Sequence, residues 1–163
     1  MGIVVTGIGP KSGTSALMNI LINECGYTPV SQCVQFPDYV ARAYPHGNWD
    51  LDGASLLSED AITLGPRQVV KLWAGSYDRV ATKDIDLFVV MHRTNRVAQL
   101  LSCLKEEPKL LHCDASSILG ELRDFATLKT NALKGKVKIR HIETEELRGR
   151  TTLNTFFDEL SLY

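Results

Sequence analysis

The stretch IVVTGIGPKSGTSALMNIL, residues 3–21, decides the fold of this chain. It begins with β-branched apolar residues that are typical of a buried strand, continues through a glycine-rich turn, and ends in a segment with helical apolar spacing. The glycines permit a tight turn, and Thr14 and Ser15 stand where the helix opens. We therefore predict a strand, a turn and a helix in direct succession.

Three further apolar runs follow, and segments with helix-like periodicity separate them. Strands are predicted at residues 3–6, 68–71, 85–91 and 136–141. Such alternation favours an α/β domain of three layers, in which helices flank a mostly parallel sheet. Ligands of these sheets bind outside the carboxyl ends of the strands, so we expect the functional residues to follow strands.

Composition and charge narrow the class of protein. The 163 residues contain no repeat or linker, which predicts one domain over residues 1–163. A formal net charge of −1 argues against a membrane surface and disfavours nucleic acid as a partner without excluding it. No apolar run reaches the ~20 residues of a membrane span, and no basic segment precedes the apolar N-terminus as in a signal peptide. The four cysteines form no CxxC pair, so we expect a cytoplasmic protein with reduced thiols.

The turn has the composition of an anion-binding loop. Backbone N–H groups at a helix N-terminus hold a partial positive charge, and a lysine and three hydroxyls add donors there. These side chains are Lys11, Ser12, Thr14 and Ser15. An ordinary glycine-rich turn is the alternative, but a simple turn needs none of these donors. The loop departs from Walker A because Lys11 precedes Gly13, whereas the Walker lysine follows the last glycine.

The order PKSGTS, residues 10–15, resembles the 5′-phosphosulfate loop of the sulfotransferases, which take a sulfuryl group from 3′-phosphoadenosine 5′-phosphosulfate (PAPS). A looser likeness, in part to small bacterial or phage sulfotransferase-like proteins, extends over residues 43–62, 66–73, 88–102 and 137–160. The resemblance implies a P-loop-type domain that uses PAPS as donor, without a metal. It also implies transfer of the sulfuryl group to a hydroxyl or amine acceptor that the sequence does not identify.

The resemblance further implies which residues bind the donor. The 5′-phosphosulfate would lie against the loop residues Gly9, Pro10, Lys11, Ser12, Gly13, Thr14 and Ser15. Arg93 and Ser102 would hold the 3′-phosphate, although Ser102 lies one position beyond the family spacing and Asn95 replaces the usual proline. Arg93 directly follows an apolar strand, and its planar guanidinium suits phosphate oxygens.

Sulfuryl transfer, by analogy with phosphoryl transfer, needs positioning, charge neutralisation and a base. Lys11 is a candidate by its place in the loop, and Lys71 by its place after a strand, where a solvated strand end is an equal alternative. The usual catalytic histidine is replaced by Trp73. Asp50 is therefore the candidate base, with His46 in reserve, while a helix cap is the structural alternative for Asp50.

Two other functions remain open at this point. The missing histidine favours a catalytically silent nucleotide- or phosphate-binding module. A divergent nucleotide or nucleic-acid kinase would instead bind Mg-ATP through an aspartate near the loop, but the strand that ends at His92 has no Walker B aspartate. The alternating cations of residues 134–140 are typical of an edge strand guarded by lysine, although they could also receive an acidic or nucleic-acid acceptor.

Overall fold

A computed structural model describes residues 2–8, 11–36, 48–72, 74–106, 131 and 133–148, together with residues 127, 154–156, 158 and 160. The strands are β1 (Ile3–Gly7), β2 (Thr28–Pro29), β3 (Cys33–Phe36), β4 (Asn48–Leu51), β5 (Gln68–Lys71), β6 (Leu87–His92) and β7 (Lys138–Glu143). The helices are α1 (Thr14–Asn23), α2 (Gly53–Leu57) and α3 (Arg96–Glu106). Short 3₁₀ turns lie at Ala74–Arg79, Thr82–Asp84 and Glu146–Arg148.

Five of these strands form a parallel sheet in the order β2-β5-β1-β6-β7. β1 lies at its centre, and Val4 of β1 is in register with Val70 of β5 and Phe88 of β6. The predicted strands correspond to β1, β5, β6 and β7, which confirms the expected parallel α/β fold. Strands that are buried on both faces consist of nearly continuous apolar residues, and these runs are what made the strands predictable from the sequence.

Each face of the sheet packs against its own layer, as predicted. Alternate residues of a strand point to opposite faces, so β1 contributes to both cores. On one face, α1 covers the sheet, and the core there includes Ile3, Val5, Leu17, Met18, Leu21, Val69, Val89 and Met91. The core on the other face includes Val4, Leu51, Ile62, Leu64, Val70, Val80, Phe88, Val90 and Leu133. Both sets are almost fully buried and hold the sheet rigid beneath its carboxyl edge.

The short strands β3 and β4 have no regular apolar pattern and were not predicted from the sequence. β3 and β4 form an antiparallel ribbon in which Val34 lies opposite Asp50. The helix that Asp50 could have capped is α2, but its N-cap is Asp52, whose carboxylate accepts a hydrogen bond from the backbone N–H of Ser55 at 2.7 Å. Asp50 instead belongs to β4. The helix-cap interpretation therefore applies to Asp52 and not to Asp50.

The alternating cations of residues 134–140 run into β7, which is at one edge of the described sheet. Lys134, Lys136 and Lys138 are exposed, as expected for a lysine-guarded edge. Across the described ranges, no helix combines the length and apolar character that a membrane crossing requires.

Candidate functional site

The predicted anion loop connects the carboxyl end of the central strand β1 to the start of α1. Gly13 occupies the N-cap of α1 in a left-handed conformation, with φ 88°, and has no side chain that could cap the helix. Lys11 is also left-handed, with φ 59°. Because that conformation costs a residue with a side chain about 1–2 kcal/mol, the surrounding packing must hold the loop in this shape.

Hydrogen bonds to strand β6 and helix α3 hold the loop in place. The backbone N–H of Ile8 donates to the carbonyl of Met91 in β6 at 2.8 Å, and the Gln99 side-chain amide in α3 donates to the carbonyl of Ile8 at 3.1 Å. Ser12 is 2 % exposed, and its hydroxyl lies where a side chain on Gly7 would stand. Glycine at position 7 is therefore a steric requirement of the loop.

A second brace comes from Thr144, directly after β7. Its hydroxyl lies 2.6 Å from the carbonyl oxygen of Ser12, and its backbone N–H donates to the carbonyl of His92 at 2.8 Å. A Cβ atom on Gly13 would stand 2.9 Å from both Cγ2 and Oγ1 of Thr144. The turn after β7 thus packs against the loop, and Gly13 is required for that approach.

Lys71, Asp50 and Ser15 meet beside this loop. Lys71 Nζ lies 2.8 Å from Asp50 Oδ2 and 3.5 Å from Ser15 Oγ, and the exposed fractions of the Lys71 and Asp50 side chains are 9% and 25%. Lys71 therefore is not a solvated strand end. Three residues that the sequence singled out from separate segments are brought together at the carboxyl end of β5 and the first turn of α1.

The thiol of Cys33 lies close to this ion pair. Burial raises the pKa of the Cys33 thiol to about 11, the negative charge of Asp50 adds to the effect, and the backbone N–H of Lys71 opposes it. Burial likewise raises the pKa of the Cys25 thiol to about 11. Both cysteines are therefore protonated near neutral pH and are poor nucleophiles.

Arg93 stands at the carboxyl end of β6, on the side of β1 opposite to Lys71. Its Nε is 3.6 Å from Glu145 Oε1, too long for a hydrogen bond, and this buried nitrogen has no hydrogen-bond partner in the described structure. Desolvation opposes the ionisation of Glu145, but backbone N–H groups of Glu145, Thr94 and Asn95 together with Arg93 lower the pKa of its carboxyl group. The backbone N–H groups around Glu145 and the Arg93 side chain thus stabilise a negative charge at this position.

A cleft of about 410 Å³ opens beside Arg93. It lies above β6 and β7 and is lined by His92, Arg93, Arg96, Gln99, His141 and Glu143, among others. The rings of His92 and His141 are 6.2 Å apart, and desolvation with the charge of His92 lowers the pKa of His141. Ser102, half-buried in α3, is absent from the described lining.

Several predicted site residues fall outside the described part of the chain, namely Gly9, Pro10, His46 and Trp73 at the position of the usual histidine. Within the described part, no group of three His, Cys, Asp or Glu side chains is arranged to hold a metal ion.

Sequence reasoning missed Thr144, Glu145 and Gln99. Thr144 and Glu145 follow the predicted strand at residues 136–141, so the rule that functional residues follow parallel strands could have found them. No sequence pattern marked Gln99, because its contact with the Ile8 carbonyl depends on how α3 packs beside the loop.

Comparisons of the chain with family models, with curated proteins and with solved structures give no significant match. A functional assignment therefore depends on the residues and geometry of the site.

Proposed function

We propose that this protein is a sulfotransferase that binds PAPS at the loop of residues 9–15 and transfers its sulfuryl group to a hydroxyl or amine acceptor. The observation on which the proposal rests is the position of Lys71 Nζ, between Ser15 Oγ of α1 and the Asp50 carboxylate. This arrangement supplies a cation and a proton acceptor at the edge of a loop suited to an anion. The likeness of PKSGTS to a phosphosulfate loop supports the same function.

The loop would hold the 5′-phosphosulfate. Backbone N–H groups at the start of α1 and the Lys11 ammonium donate to phosphate and sulfate oxygens, and their partial and full positive charges stabilise the bound anion. The charge on the bridging oxygen grows as its bond to sulfur breaks. A lysine placed nearby neutralises this charge most strongly in the transition state, which is the role we assign to Lys71.

The acceptor oxygen or nitrogen would attack sulfur in line with the bridging oxygen. One bond forms between the acceptor atom and sulfur, the bond from sulfur to the bridging oxygen breaks, and its electron pair stays on the phosphate. The proton released by the acceptor goes to the Asp50 carboxylate. Because Asp50 forms an ion pair with the Lys71 ammonium, it lies next to the same reaction centre. The products are the sulfated acceptor and 3′-phosphoadenosine 5′-phosphate (PAP).

Arg93 would receive the 3′-phosphate. It follows β6, the neighbour of β1, so that the loop and Arg93 share the carboxyl edge of the sheet. The cleft beside Arg93 offers about 410 Å³, a volume within the range of small-ligand sites. Its arginine and histidine side chains suit a phosphorylated nucleoside.

A thermal-shift comparison tests the proposal with PAPS, PAP, Mg-ATP and sulfate, because a ligand that binds the native state raises the melting temperature. We expect PAPS and PAP to stabilise the protein in the presence of a metal chelator, and Lys71→Met to abolish sulfuryl transfer while PAP still binds. Stabilisation by Mg-ATP with none by PAP would support the kinase alternative. Binding of PAP with no transfer to a panel of phenols, alcohols and amines would support the silent binding module.

A further inference from the structure

The hydroxyl of Thr144 has a defined role in the shape of the anion loop. This hydroxyl has one proton and two nearby carbonyl oxygens, of Ser12 at 2.6 Å and of His92 at 3.1 Å. The carbonyl of His92 already accepts the backbone N–H of Thr144 at 2.8 Å. The distance to the Ser12 carbonyl is the shorter one, and the His92 carbonyl already accepts a hydrogen bond. Both facts indicate that the Thr144 hydroxyl donates to the Ser12 carbonyl.

That hydrogen bond determines where the next N–H group points. The peptide bond between Ser12 and Gly13 is trans, and in a trans peptide the carbonyl and the N–H point in opposite directions. Because Thr144 holds the Ser12 carbonyl toward the turn after β7, the N–H of Gly13 points away from that turn. A loop that binds an anion needs its N–H groups directed toward the anion and its carbonyl groups directed away from it.

The conformation of Gly13 makes such a restraint necessary. Glycine populates positive and negative φ about equally, so its φ of 88° is not selected by its own preferences. Lys11, two residues before Gly13, is also left-handed. The loop thus has a peptide plane that could rotate, and the Thr144 hydroxyl is the side-chain donor that holds the plane in one orientation.

We propose that Thr144 is a positioning residue of the anion site, which acts through the Ser12 carbonyl to aim the N–H of Gly13 at the bound phosphate or sulfate group. The inference rests on the proposed function in one respect only, namely that the loop binds an anion. It does not depend on the identity of the nucleotide or on the acceptor.

The test uses inorganic pyrophosphate and PAP as ligands, with dissociation constants measured by calorimetry. Thr144→Val keeps the shape of the side chain and removes the hydroxyl, and we expect affinity for both ligands to fall about tenfold. Thr144→Ser keeps the hydroxyl and loses only the methyl group, and we expect it to retain affinity within about twofold. The matched control is Thr28→Val. The Thr28 hydroxyl also bonds a backbone carbonyl, that of Arg67 at 3.4 Å, but beside the start of β5, away from the loop.

Melting curves without ligand establish that each variant is folded. Unchanged affinity in folded Thr144→Val, or equal losses in Thr144→Val and Thr144→Ser, would overturn the positioning role. If Thr144→Val does not fold, the amide resonance of Gly13 in the parent protein decides. A large shift of that resonance on addition of pyrophosphate supports the proposal, and an unmoved resonance contradicts it.

The same measurements separate this inference from the proposed function. A parent protein that binds pyrophosphate but not PAP would remove the PAPS assignment and leave the role of Thr144 to be judged from the variants. A parent protein that binds neither ligand would overturn both.

Discussion

Two ion pairs among the described residues at the carboxyl edge of the sheet differ in length and exposure. Lys71 and Asp50, beside the loop, are 2.8 Å apart with 9% and 25% of their side chains exposed. Arg93 and Glu145, beyond β6, are 3.6 Å apart with 20% and 41% exposed. The first pair is short and largely shielded from water, whereas the second is long and more exposed, and within the described residues it leaves Arg93 Nε without a hydrogen bond.

This difference indicates how the Lys71 region and the Arg93 region would respond to a bound ligand. Breaking a buried pair leaves an uncompensated charge in a poorly solvated place, so the Lys71 and Asp50 pair resists separation. A loose pair whose carboxylate is exposed, such as that of Glu145, contributes about 0–1 kcal/mol, and an incoming anion can replace this carboxylate at little cost. We therefore expect the Lys71 region to act as a fixed reaction centre and the Arg93 region to exchange Glu145 for a phosphate group.

The largest expected effect is on turnover. Asp50→Asn removes the proposed base, and kcat should fall about 100-fold or more while PAP affinity stays nearly unchanged, since the proton moves only in the transition state. Steady-state kinetics with an active acceptor and calorimetry with PAP measure the two quantities. Retained turnover would remove Asp50 as the base and leave His46 as the remaining candidate.

Ligand affinity should change next. Lys11→Ala deletes one charged donor from the loop, and a charged hydrogen bond of about 1.5–3 kcal/mol predicts PAP binding weaker by about tenfold to a hundredfold. Stability should change little, because Lys11 is only partly buried and lies in a loop outside both cores. Calorimetry and urea unfolding check the two halves of this prediction, and an unaltered PAP affinity would contradict the role of Lys11.

A direct comparison of the two pairs comes from Lys71→Met and Arg93→Met. Each variant removes the cation and keeps much of the apolar stem. The first should lower the free energy of unfolding by up to about 3 kcal/mol, since Asp50 would lose its partner in a largely shielded place. The second should lower it by less than about 1 kcal/mol. Urea denaturation of both variants measures the contrast, and equal losses would remove the distinction between the two regions.

The smallest expected effect concerns Glu145. Glu145→Gln removes the carboxylate that competes with a bound phosphate for Arg93, so PAP affinity should rise a few-fold, the equivalent of about 1 kcal/mol or less. The parallel measurement on Glu143→Gln is the control, because Glu143 lines the same cleft and its side chain has no ion pair with Arg93 in the described structure. Weaker binding in Glu145→Gln would mean that Glu145 positions Arg93 and does not compete with its ligand.

Much of the candidate site could be predicted from local sequence. The loop with Lys11 and Gly13, the strand ending at Lys71 and the strand preceding Arg93 each had a short-range signal, either a glycine-rich turn or a continuous apolar run. The ribbon of β3 and β4 had no such signal, and its strands are short. The residue types around Asp50 suit a helix cap as well as a base, and pattern alone could not choose between them.

By itself, the sequence determined the parallel α/β architecture, because buried strands and helices impose apolar periodicities that can be read residue by residue. It also determined the composition of the glycine-rich loop of residues 9–15, from which we predict anion binding. Only the tertiary structure decided that Asp52 caps α2 while Asp50 pairs with Lys71, and that Thr144 braces the loop. The physical reason is that the contact of Asp50 with Lys71 and that of Thr144 with Ser12 join residues 21 and 132 positions apart in the chain, and only the packing of sheet and ribbon brings such residues together.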